Sequence, residues 1–141
     1  MKILVAADGS AFTKHMLAYL AAHDEWLGAG RHEYTVVTSV PALPPRAAAV
    51  VDKDLIKGYY AEEADKVFKP IRTFFKRQGI AAEFVSKTGS APEVIAKLAE
   101  SGGFDLLMMG SHGHGSLTNL VMGSVATKVM AHCKTPVLLI R

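Results

Sequence analysis

In the stretch MGSHGHGSLTNLVMGS (109–124), glycines recur at 110, 113, 115 and 123, and the last is followed by Ser124. Glycine gives up more backbone entropy on folding than any other residue, so such a cluster needs a geometric use. Either it builds a long turn, or it lets the backbone come close to something. The spacing Gly110-x2-Gly113-x9-Gly123-Ser124 leads into VATKVMAHC, which reads as a helix, so Gly123 and Ser124 should supply N–H groups at a helix start. Those groups and the helix dipole together favour a bound anion. Gly110 and Gly113 would bring the preceding backbone to the same anion with no Cβ in the way, and Ser124 adds a hydroxyl. The chemistry is phosphate held by converging main-chain donors, with a plain turn before the last helix as the alternative. It is neither a P-loop, for no Gly-Lys-Ser/Thr ends it, nor a GxGxxG fingerprint after the first strand.

Asp8, in VAADGS, is the most credible single polar residue. A carboxylate repels phosphate unless a cation intervenes, so its partner would be ribose hydroxyls or Mg2+; the alternative is an Asx turn that caps the next helix. His112 and His114 flank Gly113 and could be drawn with Asp8 as a metal site, but local spacing fixes no third ligand and a metal stays unassigned. Phosphoryl transfer needs an in-line nucleophile and firm charge neutralisation. With no Walker-type lysine and no obvious general base, binding with slow or no turnover is expected. Lys14 reads as solvent-facing. Cys133 beside His132 is poor geometry for a nucleophile and its base, and reads as a small buried filler. Met108, Met109, Met122 and Met130 read as core or pocket wall.

The elements that must position these residues alternate. KILVAA (2–7) is an apolar run suited to a strand covered on both faces. Residues 11–27 read as a helix with Ser10 placed to cap it. EYTVVTSV (33–40) is strand-like, and PALPPRAAAV (41–50) reads as a mobile connection with little helix. A long helix is expected from Asp52 to about Gln78, with Leu55, Ile56, Tyr59, Ala64, Val67, Phe68, Ile71 and Phe75 on one broad face and a bend or break at Pro70. AEFVSKT (82–88) follows as a strand, then a helix in which Ser90 and Glu93 have capping-box spacing. FDLLMMG, a helix over 123–132 and PVLLIR (136–141) complete the chain. The order β-α-β-α-β-α-β-α-β implies one α/β domain over 1–141, a five-stranded parallel sheet with helices on both faces, Rossmann-like. In such a sheet ligands sit beyond the carboxyl ends of the strands where the order reverses.

Half the residues are apolar and 21% are charged, a globular composition that argues against wholesale disorder. The net charge of +3 is spread along the chain without a basic stripe, which argues against a nucleic-acid face. The single cysteine argues against a disulfide framework and favours a reducing compartment. No apolar run approaches a membrane span, and the opening MKILVAADGS reads as a strand rather than a signal peptide.

The spacing G-x2-G-x9-G-S, the endings VAADGS and CKTPVLLIR, and the segments TGSAPEVIAKLA and DLLMMGSHGHGSL resemble the universal stress protein (UspA-like) family, in its order and over nearly the whole chain. The resemblance implies sheet order 3-2-1-4-5 and ATP, with Mg2+, in the crevice. By motif match, Gly110, Gly113, Gly123 and Ser124 would surround the phosphates, with Val125 and Thr127 alongside. Asp8 would lie near ribose and phosphates, and the backbone of Val40 would contact the adenine. The resemblance also implies a stress-associated, cytoplasmic homodimer acting as a nucleotide-bound switch or sensor. A dimeric adaptor without nucleotide and a weak Mg-dependent ATPase are the alternatives. The edge strand Val137–Ile140, poorly guarded against pairing, is the expected dimer contact. One departure is His114, where many nucleotide-binding relatives carry arginine or lysine; binding is then expected to be weaker or pH-sensitive.

Overall fold

Uninterrupted apolar runs become the inner strands of the sheet. β1 (Lys2–Ala6) and β4 (Leu106–Gly110) lie side by side, with Ile3 opposite Leu106 and Ala6 opposite Met109. The computed structural model describes residues 1–115 and 119–141; Ser116, Leu117 and Thr118, within the glycine-rich stretch, lie outside the described residues. With β2 (Glu33–Val40), β3 (Ala82–Thr88) and β5 (Val137–Ile140), the strands form one parallel sheet in the order β3-β2-β1-β4-β5. The chain runs outward from β1 to β3 and then returns to β4, so the order reverses between β1 and β4. The expected fold class and strand order are both found.

Because side chains alternate across a strand, β1 feeds two cores. Ile3 and Val5 pack with Met16, Leu20, Phe68 and Ile71, beneath α1 (Ala11–Ala22) and α4 (Lys53–Arg77). Leu4 and Ala6 pack on the other face with Ile95, Ala99, Met109 and Val129, beneath α5 (Ala91–Ser101) and α6 (Ser124–His132).

Five local expectations are corrected. The helix expected over 11–27 ends at Ala22, and α2 (Asp24–Leu27) follows as a separate turn. The His23 ring donates to the Tyr19 carbonyl at 2.8 Å, taking up a carbonyl of the last turn. The proline-rich connection holds a short helix, α3 (Pro45–Val50), because Pro45 occupies the first helical turn, where its missing N–H costs nothing. α4 runs unbroken past Pro70, which lies on the exposed side. Its expected apolar face is buried only from Ala64 onward, while Leu55 and Tyr59 are exposed. Ser10 and Ser90 stand at the N-cap positions of α1 and α5, but neither side chain makes a capping hydrogen bond.

Candidate functional site

The loops after β1 and β4 meet over the switch point, and Asp8 organises the first of them. Its Oδ1 accepts from the Ser10 N–H at 2.9 Å and from the Thr13 hydroxyl at 3.1 Å. Thr13 Oγ1 in turn accepts from the N–H groups of Asp8 and Gly9, at 3.2 and 3.1 Å. This is an Asx turn that opens α1. Thr13 was not singled out from the sequence; its signal is the D-G-S-x-x-T spacing, which places a hydroxyl one turn after the carboxylate.

The glycines of the second loop answer to the first. A Cβ on Gly113 would lie 2.5 Å from Asp8 Oδ2, and a Cβ on Gly110 would lie 2.6 Å from the Cβ of Phe12. Both absences of a side chain therefore let the two loops and α1 close together. Gly115 has a φ of 70°, the left-handed region that favours glycine. The His114 ring bridges the loops, donating from Nε2 to the Asp8 carbonyl at 2.8 Å. His112 has both ring nitrogens engaged, Nδ1 with the Ser111 hydroxyl at 2.8 Å and Nε2 with the Leu120 carbonyl at 2.7 Å. Since a carbonyl can only accept, Nε2 carries a proton, and in the neutral ring the serine donates to Nδ1.

Ser111 pins the two ends of the described loop. Its N–H donates to the Ile140 carbonyl, and its own carbonyl accepts from the Gly123 N–H, each at 2.7 Å. Gly123 is the N-cap of α6, and the first helical bond runs from the Thr127 N–H to the Gly123 carbonyl, at 3.0 Å, doubled by the Thr127 hydroxyl at 2.8 Å. The Gly123 N–H is thus engaged within the protein. The N–H groups of Ser124, Val125 and Ala126 precede the first helical bond and have no carbonyl partner one turn back.

Between these parts lies a cleft of about 210 Å³. Asp8, Gly110, Gly113, Gly123, Ser124 and Val125, all singled out from the sequence, line it together. Its remaining wall includes Val37, Ser39, Ile95 and Met109. Val40 does not line it: the side chain is buried in the α1–α4 core and the carbonyl accepts from the Gly89 N–H at 3.0 Å. Ser39 takes the place at the wall, its hydroxyl donating to the Gly89 carbonyl at 2.8 Å. Lys14 is exposed and outside the lining. Cys133 is half-buried against the α5–α6 core. Met108 and Met109 are core, Met122 packs against it, and Met130 is exposed, contrary to expectation, because it lies on the outer side of α6. Among the described residues no three His, Cys, Asp or Glu side chains converge as a metal cluster, and no helix is long and apolar enough to cross a membrane.

The sequence profile of the universal stress protein family matches residues 1–141. The chain is 31% identical over 140 residues to the universal stress protein Slr1230 of Synechocystis, an alignment covering 99% of this chain and 42% of that relative. The universal stress protein MJ0577 of Methanocaldococcus jannaschii is 31% identical over 86 residues, 61% of this chain and 53% of its own length. The chain thus spans less than two-thirds of the length of both these curated relatives. The solved structure of MJ0577 aligns with a TM-score of 0.77 at 27% identity, covering 99% of this chain and 94% of that one. The Archaeoglobus fulgidus universal stress protein, solved in complex with dAMP, aligns at 0.68 with 22% identity, covering 100% and 98%.

Proposed function

The chain belongs to the universal stress protein family, and from that membership we propose that it binds ATP, with Mg2+, in the cleft between the β1–α1 and β4–α6 loops, as a homodimeric switch or sensor with slow or no hydrolysis. The observation that carries this reading is the first turn of α6. Ser124, Val125 and Ala126 line a cleft at the sheet's switch point and offer N–H groups with no helical partner. The dAMP bound to the Archaeoglobus fulgidus protein of the same fold supports an adenine nucleotide as the ligand.

In this reading the phosphates meet the start of α6 with Gly110 and Gly113 close by, and the adenine lies toward the end of β2 by Val37 and Ser39, which line the cleft where Val40 does not. Asp8 Oδ2, turned toward Gly113, takes a ribose hydroxyl or the cation. Mg2+ is usually held by one or two carboxylates together with substrate phosphates, and Asp8 is the one carboxylate lining the cleft among the described residues, so the residues present fit it. When bound, the ion supplies neutralisation of phosphate charge. Turnover is slow because His112 has both nitrogens engaged and no Lys or Arg lines the cleft among the described residues. The outer edge of β5, unpaired within the described chain, joins the same edge of a second copy. The protein acts in the cytoplasm.

The His114 bridge to Asp8 favours a second reading, a dimeric adaptor that takes no nucleotide, since it ties the two loops together across the cleft. Titration calorimetry with ATP, ADP and AMP, alongside identification of any nucleotide released from the purified protein, separates the two. Saturable binding supports the switch. Silence with every nucleotide leaves the adaptor.

A further inference from the structure

The charge of the cleft is ill-matched to three phosphates. Asp8 brings a carboxylate into the lining, and among the described residues no lysine or guanidinium offsets it. The other titratable side chains facing the cleft are His112 and His114, each with Nε2 held by a carbonyl, of Leu120 and of Asp8. At the start of α6 the N–H groups of Ser124, Val125 and Ala126 have no helical partner, while the Gly123 N–H is taken up by Ser111. One helix start matches the oxygens of one phosphate. A second and a third phosphate each add negative charge near Asp8 Oδ2 without an added cationic side chain.

We infer that this cleft penalises each added phosphate unless a divalent cation is present, and that Asp8 is the residue that imposes this dependence. Without the cation AMP binds more tightly than ADP, and ADP more tightly than ATP; Mg2+ rescues ATP selectively, because the ion draws on both the carboxylate and the phosphates. The ligand held then depends on free Mg2+ as much as on the nucleotide pool. This rests on reading the cleft as an adenine-nucleotide site.

The test is calorimetric titration of the full chain with AMP and with ATP, in a chelator and in millimolar Mg2+, at about pH 8, where ordinary imidazoles are neutral. The expected result without metal is AMP binding tighter than ATP by roughly tenfold or more, a gap that Mg2+ closes through ATP while AMP changes by less than about twofold. Asp8→Asn keeps an oxygen to accept from Ser10 and Thr13, so the Asx turn survives. In that variant, metal-free ATP should approach the affinity of AMP and the gain from Mg2+ should shrink. Metal-free ATP binding as tightly as AMP in the parent protein overturns the inference while leaving the nucleotide site standing, and so does a gain from Mg2+ unaltered in Asp8→Asn. No binding of either nucleotide in any condition overturns the nucleotide site itself.

Discussion

Gly110 and Gly113 lack side chains for the sake of different neighbours, and their alanine variants should fail differently. An added Cβ at Gly110 meets the Cβ of Phe12 and, at 3.2 Å, the His112 carbonyl, so α1 must shift; Gly110→Ala should lower stability by about 1–3 kcal/mol in denaturant melts. At Gly113 the obstacle is the carboxylate end of Asp8, which can rotate away more cheaply. Gly113→Ala should cost less than about 1 kcal/mol yet weaken Mg-ATP binding; the opposite ranking in stability would contradict these roles. Tyr34 offers a pH test away from the cleft. Its hydroxyl donates to the Leu27 carbonyl at 2.6 Å, and burial pushes its pKa up to about 12. The folded value stands above the ordinary 10.0, so this contribution is full below pH 10 and is lost as pH rises from there through about 12. Tyr34→Phe should flatten that alkaline loss and cost about 1–3 kcal/mol at neutral pH by stranding a buried carbonyl, as urea melts at both pH values will show. Asp8 was legible because it directly follows an apolar strand and precedes Gly-Ser. Thr13 was not, because its signal is a single hydroxyl inside a helical pattern, where threonine usually carries no message.

Elements were legible where hydrophobic period and length agreed, and less so where one side chain decides a boundary. The break at His23 depends on a ring reaching a carbonyl of its own last turn, which no apolar period records. α3 was missed because prolines on both sides of its start outweighed the run Ala47–Ala48–Ala49, although Pro45 sits where a helix tolerates it. The turn joining α6 to β5 is held from another element. Glu100 near the end of α5 accepts from the N–H groups of Lys134 and Thr135. The Lys134 N–H, foremost, holds its carboxyl below the ordinary carboxylate value. A lowered folded pKa means the contact stabilises above the ordinary value and is lost as pH falls through the folded one. Glu100→Gln should therefore speed hydrogen exchange at the Lys134 and Thr135 amides at neutral pH and remove its acid dependence. Exchange unchanged from the parent would show that the clamp carries no weight.

At the scale of the molecule, a single reversal of strand order creates the crevice, and this much followed from alternating strands and helices together with the family resemblance. What the sequence left open was how the loops close on each other: the glycines read as openings toward a ligand also admit Phe12 and the Asp8 carboxylate. Two copies joined edge to edge through Val137–Ile140 should sediment at twice the chain mass, with the β5 amides gaining exchange protection as concentration rises; a monomer with freely exchanging β5 amides would contradict that pairing. In the proposed site, three amides at the start of α6 hold the phosphate oxygens. Titrating isotopically labelled protein with Mg-ATP while following backbone amide resonances tests this most directly. Saturable shifts are expected, concentrated at Ser124, Val125 and Ala126 and extending to Asp8. Saturable shifts elsewhere with these amides unmoved, or no shifts at all, would contradict it.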